Sequence, residues 1–463
     1  MIHIPFDNSY AALPDRFYAR QPAVRVAAPA LIKFNHDLAR DLGIDSSGLT
    51  DAEAAALFSG NATPEGADPL AQAYAGHQFG GWSPQLGDGR ALLLGEVIAP
   101  DGTRHDIQLK GSGRTPFSRS GDGRAWLGPV LREYLMSEAM HAIGVPTTRA
   151  LAAVRTGETV QRETALPGAV LTRTAASHIR VGTFQFFAAR GDRDALQTLT
   201  DYTIARHFPK AGGPADLLEQ VMQRQADLVA KWMGLGFIHG VMNTDNVSVT
   251  GETIDYGPCA MMDSYHPDTV FSTIDQQGRY AYSNQPKLAH WNIAQFATSL
   301  VPLMPDQAAA IDRFTAIINR FPDLFAAAQH AIFSAKLGLE NADPQLIDDL
   351  LALMAQDGAD FTNSFAALPR DDARDQFIDR TGFDAWKSRW LDQNPDTAQM
   401  ARTNPQVIPR LHRIEAAIQA AVAGDDAPFH AMLAAVTQPF TANETFARPP
   451  TTDEKVARTF CGT

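Results

Sequence analysis

One stretch of the chain concentrates side chains that suit metal binding and proton transfer. Residues 236–249 read GFIHGVMNTDNVSV, and IDYG follows at 254–257. Magnesium takes oxygen ligands and usually combines one or two protein groups with phosphate oxygens. Asn246 and Asp255 meet that requirement, so they are the predicted metal ligands.

The spacing of these residues resembles the catalytic loop and metal-binding segment of protein kinases. His239 and Asn246 keep the separation found in that loop, and Asp255 stands where the second metal ligand belongs. The kinase base would fall at Val241, and valine cannot accept a proton. Asp245 is therefore the predicted general base, with a capping or turn residue as the alternative.

Lys110 is a candidate phosphate ligand. It ends a strand-like run at 105–110, and Glu133 lies 23 residues later in a helix-like run. In protein kinases a strand Lys that pairs with a helix Glu holds phosphate oxygens. Glu138 is an alternative partner, and a solvated edge charge is the alternative role for Lys110.

Other residues suit the binding of an anion. Glycine lets backbone amides approach a phosphate, and guanidinium offers paired donors. Plain turns and isolated surface charges are the alternative interpretation of these residues. The candidates are Gly87, Gly89, Arg90, Asp122, Gly123, Arg173 and Arg180.

Several longer segments resemble the selenoprotein O (YdiU) family, and the resemblance runs nearly from end to end. The segments are FDNSY at 6–10, YAGHQFG at 74–80, LGDGR at 86–90, QLKGSG at 108–113, PTTR at 146–149 and YSNQP at 282–286.

The resemblance implies an ATP-dependent enzyme that modifies proteins. ATP would bind in a flipped orientation, so that a Ser, Thr or Tyr hydroxyl attacks the α-phosphate, pyrophosphate leaves and AMP stays on the protein. Magnesium, or manganese, would be held by Asn246 and Asp255, and Asp245 would act as base. The implied nucleotide-binding residues are Gly87, Gly89, Arg90, Lys110, Asp122, Gly123, Glu133, Arg173, Arg180 and Asp255.

Two other functions stay open at this point. A protein kinase would transfer the γ-phosphate, and Val241 argues against it. An inactive nucleotide-binding scaffold would need no metal ligands, so the presence of Lys110, Asn246 and Asp255 argues against that alternative.

The implied fold is α+β and protein-kinase-like, with a small N-terminal sheet lobe and a large, mostly helical C-terminal lobe. The expected units are a wrapping arm at 1–70, an N-lobe at 71–185, a C-lobe with the catalytic and metal-binding loops at 186–300, and a helical extension with a Cys-containing tail at 301–463.

Local patterns predict the elements that position the candidate residues. A hairpin is predicted at 90–98 and 105–110, and a further strand-like section at 150–172. Apolar residues at helical spacing predict helices at 30–42, 127–143, 217–235, 289–303, 307–337, 344–355 and 408–422.

Composition narrows the partners and the compartment. The formal net charge is −13 and the basic residues are scattered, so nucleic acid is not an expected partner. No apolar run reaches the roughly 20 residues that span a bilayer. A cytoplasmic monomer without membrane contact is expected.

The chain has two cysteines, Cys259 and Cys461. In some relatives the third-from-last position resembles the site of a selenocysteine, and here it is Cys461. A bridge to Cys259 would tie the tail to the segment after Asp255, whereas reduced thiols are the default in the cytosol. Both alternatives stay open.

Overall fold

The computed structural model describes residues 2–456 and 458–459. Its strands are β1 (Tyr18–Arg20), β2 (Ala30–Phe34), β3 (Leu70–Gln72), β4 (Gly76–Gln78), β5 (Gly81–Ser83), β6 (Ala91–Ile98), β7 (Arg104–Lys110), β8 (Ala125–Trp126), β9 (Arg149–Gln161), β10 (Ala165–Ala175), β11 (Phe237–Ile238) and β12 (Ala260–Met261).

Helices precede, interrupt and follow these strands. They are α1 (His36–Asp41), α2 (Asp51–Phe58), α3 (Leu127–Ile143), α4 (Val181–Ala188), α5 (Arg193–His207), α6 (Pro214–Gly234), α7 (Gln285–Leu300), α8 (Gln307–Ile318), α9 (Phe321–Lys336), α10 (Pro344–Asp357), α11 (Phe361–Ala367), α12 (Arg380–Leu391), α13 (Thr397–Thr403), α14 (Leu411–Val422), α15 (Ala427–Val436) and α16 (Glu444–Ala447).

An antiparallel sheet organises the N-terminal part of the chain. Its strands follow the order β1-β3-β6-β7-β10-β9-β2, and β8 pairs with β10. The predicted hairpin is confirmed as β6 and β7, and the section at 150–172 falls within β9 and β10. Lys110 on central β7 lies opposite Ala91 and Leu171, while Arg173 lies opposite Gln108. Because side chains two residues apart share a face, Lys110 and Arg173 face the same side of the sheet.

The predicted helix at 30–42 is wrong over its first half. Residues 30–34 form β2, which pairs with β9, and a helix begins only at His36. Asn35 separates the two elements because its side chain caps Leu38 N–H of α1. Pairing with a distant strand has overridden the local helical pattern. β2 and β1 end the strand order at opposite sides, so residues before 70 supply both of its edges.

Helix α3 has the bounds that the sequence predicts. Gly144 ends it in a left-handed conformation with φ 92°, which glycine adopts without strain. On one side α3 packs against the sheet, and on the other it meets α14 and α15. Tyr134 packs edge-on against Phe429 at 5.7 Å, and Arg132 forms an ion pair with Glu415.

From residue 285 onward the described chain is mostly helical, and the helices predicted at 289–303, 344–355 and 408–422 are confirmed with small changes in their bounds. The helix expected at 307–337 is divided at Asn319 and Arg320, because Pro322 begins a new helix there. Indole N–H groups of Trp386 and Trp390 donate to backbone carbonyls in the core of this region. Within the described residues no helix is long and apolar enough to cross a membrane.

A buried arginine connects the last third of the chain to the segment after Asp255. Arg410 donates to Asp263 at 2.5 Å and to Asp360 at 2.8 Å. Cys259 is buried in the same segment. Cys461 lies outside the described residues, so the bridge between the two cysteines stays an open hypothesis.

Candidate active site

A cavity of about 810 Å³ opens beside the sheet. All of the site residues predicted from the sequence line it, although they come from strands, helices and loops far apart in the chain. They are Gly87, Gly89, Arg90, Lys110, Asp122, Gly123, Glu133, Arg173, Arg180, Asp245, Asn246 and Asp255.

Lys110 pairs with Glu133. Its Nζ lies 2.6 Å from Glu133 Oε2 and 2.8 Å from Asp255 Oδ1. The alternative partner, Glu138, instead binds Arg149 at 2.7 Å and caps the backbone of Ala150. The choice that the sequence left open is thereby decided in favour of Glu133.

Two arginines complete a buried ion cluster around Asp255. Arg173 Nη1 lies 2.6 Å from Asp255 Oδ1 and 3.0 Å from Glu133 Oε1. Arg180 Nη1 donates to Asp255 Oδ2 at 2.9 Å and to the carbonyl of Asp245 at 2.6 Å. With Lys110, three cations face two carboxylates, so the cluster keeps a positive charge that suits a phosphate chain.

The cluster controls the ionisation of its carboxylates. Burial alone would raise the pKa of Asp255, but Lys110, Arg173 and Arg180 hold it well below its ordinary value. Burial acts in the same way on Glu133, and Lys110 and Arg173 again lower the pKa. Both groups are therefore ionised in the fold, which is the form that pairs with cations and binds metal.

Asn246 and Asp255 both line the cavity and carry oxygen atoms of the kind that magnesium requires. Asn246 Nδ2 donates to the carbonyl of Val241 at 3.1 Å, which leaves Oδ1 as a ligand atom. Asp255 has a left-handed backbone with φ 62°, a conformation that is uncommon outside glycine and recurs at functional sites. No group of three His, Cys, Asp or Glu side chains in the described residues could hold a metal. Magnesium held by two protein groups usually completes its coordination with phosphate oxygens and water.

Asp245 lies in a close-packed niche at the cavity wall. Its Oδ2 accepts from Gln78 Nε2 at 3.2 Å, and its buried Oδ1 has no hydrogen-bond partner among the described residues. A Cβ on Gly76 would stand 2.8 Å from Oδ1, so only glycine fits there. Burial raises the pKa of Asp245 to about 6 although Arg180 opposes the shift. A carboxylate with that pKa can accept a proton near neutral pH.

Sequence reasoning assigned no role to the hairpin of β4 and β5, which supports Asp245. His77 N–H donates to Thr244 Oγ1 at 2.7 Å, and Phe79 N–H donates to Asn243 Oδ1 at 3.0 Å. With Gln78, three successive residues of the hairpin bind three successive residues of the loop. The segment 74–80 was a signal of the family resemblance, but its contacts join residues more than 160 positions apart and have no local pattern.

The glycine-rich loops form the opposite side of the cavity. Gly87 has φ 70°, and a Cβ there would collide with the Phe117 ring. Asp122 is paired with Arg162 at 2.7 Å, so its carboxylate is partly neutralised. Arg90 forms no ion pair within the described part of the chain, and its guanidinium is available to a ligand.

Comparison with known proteins decides the family. The model of a family described as protein adenylyltransferase SelO matches residues 1–437. The chain belongs to the SelO family. It is 61% identical to the protein nucleotidyltransferase YdiU of Roseobacter denitrificans and 59% identical to that of a Ruegeria species, in both cases over the full length of each chain. A relative of the same name in Methylorubrum populi is 55% identical over 99% of both chains.

Two further segments of the family resemblance form hydrogen bonds to residues close in sequence to Asp245 and Asp255. In the segment 282–286, Gln285 Oε1 accepts from His239 N–H at 2.9 Å, and Gln285 Nε2 donates to the carbonyl of Phe237 at 2.8 Å. In the segment 146–149, the Thr147 hydroxyl bonds to that of Tyr256. The loop that carries Asp245 and the turn that carries Asp255 are thus each held by a segment of the resemblance.

Proposed function

We propose that the chain is a protein adenylyltransferase that moves AMP from ATP to Ser, Thr or Tyr hydroxyls of other proteins. The observation that carries the proposal is the placement of Asp245 in the same cavity as the positive cluster, while Val241 lies where a kinase has its base. The names that the relatives carry, protein nucleotidyltransferase, agree with it.

The proposed reaction is an in-line displacement at the α-phosphorus of ATP. Asp245 takes the proton of the acceptor hydroxyl, the hydroxyl oxygen forms a bond to the α-phosphorus, and the bond to the bridging oxygen of the β-phosphate breaks. AMP stays on the acceptor and pyrophosphate leaves. Oriented cations supply most of the stabilisation in transfers of this kind.

The side chains of the cluster have separate tasks in this proposal. Lys110, Arg173 and Arg180 bind phosphate oxygens and hold the leaving pyrophosphate, and Glu133 orients Lys110. Asn246 and Asp255 would hold magnesium or manganese, which when bound neutralises phosphate charge. Glycines 87, 89 and 123 bring backbone close to the nucleotide, and Arg90 and Asp122 bind at its edge.

A kinase-like, two-lobed organisation with the unit boundaries given above belongs to the same proposal. Its support is the contact between a sheet lysine and a helix glutamate at 2.6 Å, next to the turn that carries Asp255. A monomer in the cytoplasm, with ATP and proteins as partners, stays a prediction.

The test uses ATP labelled separately at the α- and γ-phosphates. The purified chain is incubated with magnesium and an acceptor protein mixture, and label is followed into protein. Transfer of the α-label alone is expected. Transfer of the γ-label alone would make the chain a kinase, and ATP binding without any transfer would favour the scaffold. Asp245→Asn provides the matched inactive control.

A further inference from the structure

Two large aromatic side chains stay exposed on the hairpin whose Gln78 contacts Asp245. Phe79 and Trp82 belong to the hairpin of β4 and β5 and are 40% and 42% exposed. Between them in the chain lie Gly80 and Gly81, and directly before them lies Gln78, which reaches Asp245. Phe79 and Trp82 are called the aromatic rim.

Contacts with neighbouring residues hold both side chains of the aromatic rim in place. Phe79 has a left-handed backbone with φ 52°, which is uncommon for a bulky residue, and its N–H is held by Asn243. Its ring lies edge-on to Tyr280 at 5.2 Å, and Trp82 packs on His77 at 4.9 Å. A strained backbone and exposed apolar side chains are both typical of sites that bind another molecule.

An arginine whose guanidinium forms no ion pair within the described residues lies next to the aromatic rim; the nearby Asp275 carboxylate accepts from the Arg279 and Tyr280 backbone N–H groups instead. The Arg279 guanidinium lies 3.9 Å from the position of a Cβ on Gly80 and is stacked over Tyr280 and Trp291 at 5.7 and 5.2 Å. Its Nε has no hydrogen-bond partner, and it forms no ion pair with any described residue. In a chain of net charge −13 an unpaired arginine at this place is available to an external carboxylate.

We propose that Phe79, Trp82 and Arg279 form the docking surface for the acceptor protein, and that they fit an extended segment with an apolar side chain and a carboxylate close to the modified hydroxyl. The inference rests on the proposed function. An acceptor hydroxyl must reach Asp245, and Gln78 in the same hairpin touches Asp245, so the flanking residues of the acceptor lie over the rim. Aromatic residues and arginine are also the groups that dominate protein recognition.

The test measures the sequence preference of the transfer. A peptide library with one central Tyr, Ser or Thr and randomised flanking positions is incubated with the full-length chain, magnesium and α-labelled ATP. Enrichment of Asp or Glu together with apolar residues is expected. Arg279→Glu should invert the charge preference toward Lys and Arg, an outcome that a structural role of Arg279 would not produce.

The aromatic residues are tested by kinetics on an enriched peptide. Trp82→Ser should raise KM for the peptide by about ten-fold, since interface anchors typically contribute that much, with kcat and the affinity for ATP unchanged. Phe79→Ser should raise the same KM, and its effect on kcat is compared with that of Trp82→Ser because Phe79 lines the cavity. Ile378→Ser, at a site that is 81% exposed and outside the cavity, is the matched control.

The outcomes separate this inference from the proposed function. An absence of flanking preference, an unchanged preference in Arg279→Glu, or a loss of ATP affinity in the rim variants would overturn the docking surface while leaving AMP transfer intact. A loss of ATP affinity would assign the rim to the adenine ring instead. No α-label on any peptide with the wild-type chain would overturn both.

Discussion

The buried ion cluster and the mouth of the cavity handle charge in opposite ways. In the cluster each cation has a carboxylate partner within 3.0 Å, and the side chains stand on strands β7 and β10, on α3, directly before α4 and on the turn with Asp255. In the cavity-lining loops at 86–90 and 117–124, here called the mouth, Arg90 and Arg119 have no ion pair among the described residues. The cluster is therefore organised before any ligand arrives, whereas the mouth needs a ligand to balance its charge.

The largest effect should follow from removing the shared carboxylate. Asp255→Ala leaves three cations close together, and breaking a buried ionic group costs about 3 to 5 kcal/mol of unfolding free energy. Transfer should vanish, and added pyrophosphate should restore part of the stability because it replaces the lost negative charge. Denaturant unfolding with and without pyrophosphate measures the two changes in stability, and the assay with α-labelled ATP measures transfer.

Asp122→Ala is the control at the mouth. Its exposed pair with Arg162 should contribute less than about 0.5 kcal/mol. Equal stability losses in the two variants would contradict the division between cluster and mouth.

The second-largest effect should follow from removing the carboxylate of Asp245, the proposed general base. Asp245→Asn should lower kcat by about 10²- to 10⁴-fold, the usual range for a general base, with ATP affinity unchanged or higher. Since burial raises the pKa of Asp245 to about 6, the wild-type rate should fall as the pH drops below that value, because the protonated carboxyl cannot accept a proton. A pH profile of both chains checks this, and an acid limb that survives in the variant would assign it to another group.

A smaller effect is expected at the mouth. Arg90→Ala should raise KM for ATP by roughly ten-fold through the loss of charge-assisted hydrogen bonds, with little change in unfolding free energy. Arg40→Ala, on exposed α1, should change neither value. A large loss of unfolding free energy in Arg90→Ala would show that Arg90 stabilises the fold as the cluster residues do, and would contradict the division between cluster and mouth.

The smallest effect is expected from Glu252, a carboxyl that forms no ion pair within the described part of the chain. Burial raises the pKa of Glu252 to about 7 from 4.5 against hydrogen bonds from Thr250 and Ala176. The folded chain thus binds a proton more tightly than the unfolded one, and stability is lost as pH rises from about 4.5 to 7. Glu252→Gln should therefore raise Tm by roughly 2 °C at pH 8 and not at pH 5. Exposed Glu163→Gln is the control, and a shift that does not depend on pH would contradict the assignment.

Local signals in the sequence account for what was predicted correctly. Helix α3 ends at Gly144 as expected, because apolar spacing and a glycine C-cap are both local. The SelO-family assignment and the nucleotidyltransferase class also follow from contiguous segments of sequence. Asn246 and Asp255, which line the same cavity, lie only nine positions apart, and their role as metal ligands stays a prediction.

Contacts between distant residues explain what the sequence left out. Residues 30–34 become a strand because β9 offers a partner, and Glu133 is distinguished from Glu138 because Arg149 satisfies the latter. Gln78 binds Asp245 across 167 positions. These contacts depend on the tertiary structure, which no local pattern encodes.

The packing of α14 and α15 on α3 joins parts of the chain that are synthesised at different times. Glu415 is synthesised 283 residues after Arg132, its ion-pair partner on the helix that carries Glu133. A growing polypeptide therefore holds Lys110, Glu133 and the loop with Asp245 long before α3 gains its outer cover. The helix that carries Glu133 therefore gains its full packing only when almost the whole chain has been translated.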